Sequence, residues 1–167
     1  MDNIYKLMQG QITKEEFLEI NAIINLRDEI ERGLAKAYQK KSSDSVEKFI
    51  YLIFVFELFK IEYVNVLNKL LLSDWHYQHE NIALLLQKIA SPESLEFLYK
   101  AIELKPKYLE WDENHAFEVK CIRGLYQIGK RKSFSYLQKL CGHPDHIIRE
   151  IAQRQIKKLE VEGTYGE

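Results

Sequence analysis

Sliding residues 79–141 along the chain by 39 positions lays one ladder of apolar residues over another. Ile82 falls on Cys121, Leu86 on Leu125, Ile89 on Ile128, Ser94 on Ser133, Leu98 on Leu137 and Ile102 on Cys141. A further shift of 31 carries Cys121 to Ala152, Leu125 to Ile156 and Ile128 to Leu159. Within each copy the apolar positions keep the four- and three-residue steps of a helix face. One copy has no partner for that face, so copies must stack, and the expected architecture is an array of helical hairpins. Such arrays mostly serve as binding surfaces, which makes the pattern informative about fold and nearly silent about target.

The chain of 167 residues is expected to form one helical-repeat domain over 1–160, followed by a flexible tail at 161–167. Within it, 1–73 reads as an N-terminal pair of long helices and 74–160 as the repeats. Seven glycines and three prolines, against 46% hydrophobic residues, leave few loop formers and favour helices. Cys121 and Cys141 sit on the apolar ladder, where they read as small core residues in a reducing compartment. The start MDNIYKLMQG lacks a basic segment leading into a long apolar core. The run FIYLIFVF at 49–56 is eight residues, whereas a membrane span needs roughly 20. A cytoplasmic protein without a membrane partner is expected.

Net charge is −1, but it is unevenly distributed. Residues 1–119 carry 14 Lys+Arg against 20 Asp+Glu, and residues 120–158 carry ten against two. A charge division of this kind points to charged partners, although solvated outer helix faces account for it equally.

Helix signals follow the ladder. A short helix over Asp2–Gln9 is expected to stop at Gly10. Thr13, with Glu16 three residues on, has capping-box spacing and opens a long helix to about Lys40. Ser42-Ser43-Asp44-Ser45 breaks the chain and caps a second long helix to about Leu72, kinked or divided near Glu57–Glu62. Helices are then expected at about 77–90, 93–103, 113–129, 132–141 and 146–160, with Gly129 as a C-terminal cap. The predicted core includes Phe49, Leu52, Ile53, Phe56, Leu67, Leu71, Ile82, Leu86, Ile89, Leu95, Leu98, Ile102, Cys121, Leu125, Ile128, Phe134, Leu137, Ala152 and Ile156.

The stretches DENHAFEVKCIRGLYQIGKRKSFSYLQKL and HPDHIIREIAQRQIKKL resemble HEAT-type repeats. They share an acidic residue at the turn, an early basic residue in the first helix, small residues facing its partner and Leu-x-x-Ile-Gly at its end. The resemblance covers 74–160 and implies an all-α fold, a HEAT-like α-α superhelix or helical hairpin solenoid of about seven or eight helices. WHYQHENIA together with YLEWDE also resembles small bacterial HEAT-like proteins that occur as immunity proteins in interbacterial toxin systems.

Three groups of residues are candidates for chemistry. His76, His79 and Glu80 put two imidazoles on one helix face, the start of a metal-like cluster needing Asp112 or His115 as a further ligand. His76, His115 and His146 are repeat-equivalent, however, which points to a structural role at helix starts, and no metal or cofactor is expected. The link Tyr108-Leu109-Glu110-Trp111-Asp112-Glu113 joins two aromatics to three carboxylates on the longest connection between repeats. It reads either as a partner-binding edge, with His76 and His79 beside it, or as a plug over the hairpin with Asp112 capping the next helix. Lys120, Arg123, Lys130, Arg154 and Lys157 form a candidate basic strip for phosphates or an acidic protein, with no aromatic residues interleaved.

No Gly-x-Ser-x-Gly elbow, phosphate-binding glycine loop, dinucleotide fingerprint or Cys-x-x-Cys occurs. The expected function is therefore non-enzymatic: a protein-binding module, most concretely an immunity protein occluding the basic active site of a cognate toxin. The alternatives are a nucleic-acid-binding or DNA-repair protein using the basic third, and an intracellular scaffold.

Overall fold

A computed structural model of the chain describes residues 2–104, 106–113 and 115–164. Among these residues the fold is all-α, with ten α-helices, four short 3-10 turns and no strand. Helix α1 (Asp2–Met8) ends before Gly10, whose φ of +67° is the left-handed turn that glycine takes without strain. Helix α2 (Lys14–Ile20) opens with the expected capping box: the Glu16 N–H donates to the Thr13 hydroxyl at 3.1 Å, and the Thr13 N–H donates to the Glu16 carboxylate at 2.7 Å.

The expected single helix from Thr13 to Lys40 is two helices, because two asparagines bond to nearby backbone. The Asn21 amide donates to the Phe17 carbonyl at 2.6 Å, Ala22 takes a φ of +48°, and the Asn25 side chain caps helix α3 (Leu26–Lys40). Ile20 and Ile24, four residues apart as on one helix face, are consequently exposed. Ser42 caps helix α4 (Ser43–Val55), which ends at Phe56 before Glu57 (φ +52°). A 3-10 turn at Ile61–Tyr63 then leads into α5 (Val64–Leu71), so the second long helix is divided where the sequence indicated.

The remaining chain repeats a helix, 3-10 turn, helix unit. Helix α6 (His79–Ile89), the turn Pro92–Ser94 and α7 (Leu95–Ile102) form one copy. Helix α8 (Ala116–Gly129), the turn Lys130–Ser133 and α9 (Phe134–Leu140) form the next, followed by α10 (His146–Thr164). The tail expected from residue 161 is helical to Thr164, and Tyr165–Glu167 lie outside the described residues. Helix α5 packs on α3, α6 and α7, and α8 packs on α6, α7, α9 and α10. Ladder partners keep the same environment: Ile82 and Cys121, Leu86 and Leu125, Leu98 and Leu137, and Ser94 and Ser133 are all buried.

Burial of a leucine side chain of this kind contributes about 2 kcal/mol, so the ladder is the main source of stability in this half. Most of the predicted core is buried, while Phe56, Ile89, Ile128 and Ile156 are half-buried against it and Phe134 is exposed. Phe117, Ile122, Leu140 and Ile148 complete the core although the ladder does not include them. Gly129 is not the left-handed cap. Lys130 takes the positive φ, and Gly129 is required by close packing, since a Cβ there would lie 2.6 Å from the Ser133 Cβ and 2.9 Å from a Leu95 methyl. No helix of the described residues is long and apolar enough to cross a membrane.

Candidate functional site

The link between α7 and α8 folds inward at Tyr108 and outward at Trp111. Its anchor is built from the turn before α6. The His76 Nε2–H donates to the Leu70 carbonyl at 2.8 Å, and the His79 Nε2–H donates to the Ser73 carbonyl at 2.7 Å. Leu70 lies in the last turn of α5 and Ser73 just beyond it, where the helical hydrogen-bond pattern runs out; the Leu70 carbonyl also accepts from the Ser73 N–H at 2.9 Å. Each Nδ1 then accepts, from the Gln78 N–H at 3.1 Å and from the Tyr108 hydroxyl at 3.0 Å. The Tyr108 hydroxyl in turn accepts from the His79 N–H at 3.2 Å. The two imidazoles stack with centroids 4.4 Å apart, and His79 lies edge-on to Phe117 at 5.6 Å.

This is a closed network of neutral rings. Burial lowers the pKa of His76 and pushes that of His79 down to about 4. Burial also raises the Tyr108 phenol to about 12. His76 and His79 are buried, so they do not belong to a partner-contacting surface as their sequence position suggested. Nor are they poised as metal ligands, since their ring nitrogens are occupied by the protein's own groups. No group of three or more His, Cys, Asp or Glu suited to a metal ion occurs among the described residues.

The repeat-equivalent histidines have different surroundings. His115 sits at the N-cap of α8 with φ +50°, its Nε2 3.5 Å from Asp145 and its Nδ1 3.9 Å from Glu118. His146 is exposed at the first position of α10. Burial raises the Glu118 carboxyl, partly offset by its own backbone N–H and then by His115. Burial opposes charge on Asp145 too, but the N–H groups of Ile147 and Ile148, together with His115 and His146, hold it below its ordinary value.

Outside the anchor lies the candidate edge. Trp111 is 88% exposed, with exposed Glu110 and Glu113 on either side. Asp112 is half-buried and accepts from the Ala116 N–H at 2.8 Å, which fixes the start of α8. Tyr77, which sequence reasoning passed over, is 68% exposed and meets Tyr108 edge-on at 5.3 Å. Its place in a turn between His76 and His79 gives no periodic signal in the sequence. Leu109 and Pro106, together with Glu110, Asp112, Glu113 and Glu118, line an adjoining cleft of about 570 Å³. The plug and the edge are thus separate residues: Tyr108 fills the first role and Trp111 stands free for the second.

The candidate basic strip is partly spent on internal contacts. Lys120 pairs with Glu80 and so ties α8 to α6, and Arg154 pairs with Glu150 at 3.2 Å. Arg123, Lys130 and Lys157 are exposed. Contrary to the sequence reading, an aromatic ring does lie among them, for Tyr126 lines a shallow groove with Lys157 and Lys158. Cys121 is buried, with its thiol pushed well up by that burial, and Cys141 is half-buried. Burial raises the Cys141 thiol as well, so neither cysteine sits in surroundings that favour a thiolate. No protein-family model, curated protein or solved structure matches the chain.

Proposed function

We propose that this protein is a non-enzymatic protein-binding module that docks a basic partner surface through the Trp111 edge. The observation that carries the reading is a large aromatic ring, 88% exposed and flanked by Glu110 and Glu113, on a link pinned from inside by Tyr108 and Asp112. Exposed tryptophan on a rigid support loses little entropy on binding and is a preferred hot-spot residue. The flanking carboxylates would steer a cationic partner and speed encounter.

In its most concrete form the module is an immunity protein: the edge covers a basic active site on a cognate toxin and excludes its substrate. We further read α5–α10 as a HEAT-like array. Support comes from the recurring helix, 3-10 turn, helix unit and from the packing of α8 on both helices of the preceding unit. Two free cysteines fit a cytoplasmic setting.

The test is purification of tagged protein from its native cells after nuclease treatment, comparing wild type with Glu110→Lys/Glu113→Lys and with Trp111→Ala. A stoichiometric protein companion, held by the wild type and released by both variants, supports the reading. A companion retained equally by all three would sink it.

A further inference from the structure

A second charged surface, opposite in sign to the edge, lies on α8 and α10. Several long cations elsewhere are matched by carboxylates, as Arg27 is by Glu62, Arg32 by Glu29, Lys48 by Asp44 and Lys100 by Glu96. On α8 and α10 the matching is incomplete: Lys120 pairs with Glu80 and Arg154 with Glu150, but other cations there have no such partner. Arg123, Lys130, Lys157 and Lys158 are exposed, and among the described residues none is held in an ion pair. Tyr126, one turn beyond Arg123 on α8, is half-buried, with the Lys158 ammonium 5.5 Å from its ring centroid. Tyr126, Lys157, Lys158 and Val161 line a shallow groove of about 440 Å³.

We propose that this groove binds a single-stranded nucleic acid. Its lining joins an aromatic ring and an aliphatic side chain to two lysines, one of which holds its ammonium over the ring. That combination suits a base against the ring and phosphates at the lysines. Arg123 lies about one turn before Tyr126 on α8 and continues the cationic track beyond the groove, and exposed Lys130 follows where the chain leaves that helix. The ring favours a strand over an acidic protein. A phosphate draws the Lys158 ammonium off the Tyr126 face, and the base takes its place there. It also favours single strands over duplex, whose bases are already stacked on one another.

The experiment is fluorescence anisotropy of the full chain with labelled strands of about 12 nucleotides, as DNA, RNA and duplex. Four unpaired cations on a single strand predict an affinity that falls about 50-fold between roughly 50 and 200 mM salt. Lys157→Glu/Lys158→Glu, at two exposed positions, is expected to weaken binding at low salt by about tenfold or more while leaving the circular dichroism melt unchanged. Tyr126→Leu is expected to cost about fivefold on single strands and little on duplex.

The proposal is overturned if neither single strand saturates at low salt, or if the double reversal binds as the wild type does. It is equally overturned if duplex binds more tightly than single strand. Polyglutamate displacing the strand as well as unlabelled strand does would identify the groove as an acidic-protein surface and likewise overturn it. None of these outcomes depends on the Trp111 edge, which is left intact in every variant.

Discussion

Tyr108 and Trp111 are three residues apart on one link, yet they belong to different regions of the molecule. Tyr108 is held by His79 and closes the turn before α6, whereas Trp111 projects into solvent between two carboxylates. The inner region spends its polar groups on its own backbone, and the outer one leaves its aromatic surface unspent. The difference teaches that a residue's chemistry identifies a candidate and its burial assigns the role. Substitutions inside should therefore change stability, and substitutions outside should change binding alone.

The largest effect should come from the ladder that supports both regions. Leu125 is fully buried on α8, which packs on α6, α7, α9 and α10, so Leu125→Asp places an unpaired charge in the core. It should cost ~4 kcal/mol or more and abolish a cooperative thermal transition, as read by circular dichroism. A folded Leu125→Asp protein would mean that the two regions do not share one core.

Next in size is the response to acid. With its pKa lowered to about 4 in the fold against about 6.5 unfolded, His79 takes up its proton only in the unfolded chain between those values. Its contribution is complete above about pH 6.5 and is lost as pH falls toward 4, by ~3 kcal/mol, with His76 acting in the same direction. Guanidinium unfolding at about pH 7 and about pH 4.5 measures this, and His79→Gln should lower stability at the higher pH while flattening the dependence. An equally steep dependence in His79→Gln would assign the acid sensitivity to the carboxylates.

A smaller loss is expected from Tyr108→Phe. It removes the hydroxyl that serves both the His79 N–H and its Nδ1, at about 1–2 kcal/mol. At the outer edge Trp111→Ala should shift stability by no more than about 0.5 kcal/mol, and yet weaken a captured partner by about 30-fold. A marked fall in melting temperature for Trp111→Ala would erase the contrast between the two residues.

Local signals in the sequence were reliable where one residue satisfies its own neighbours. Thr13 with Glu16, Ser42 and Gly10 stand where their chemistry requires. The break at Asn21–Asn25 was hidden because Ile20 and Ile24 continue a helical spacing, and only the asparagine bonds to backbone reveal the interruption. Of the candidate edge, the Tyr108–Glu113 link was legible from its composition. Tyr77 was not, since alternating exposure in a turn leaves no periodic trace. The histidines misled for a related reason: spacing puts His76 and His79 on one side but does not say which side faces inward.

The sequence by itself determined that the chain is helical and that residues 79–141 repeat at 39 positions, because helix formation and capping depend on neighbours within a few residues. It also determined which segments concentrate charge. Only the tertiary structure decided which face of each turn is buried, that Lys120 is spent on Glu80 while Lys157 stays free, and that Gly129 serves close packing. It likewise brought Tyr126 to α10. Those outcomes depend on residues distant in sequence arriving in contact, and apolar burial, being proportional to area and indifferent to direction, specifies that they pack without specifying which polar groups are left outside.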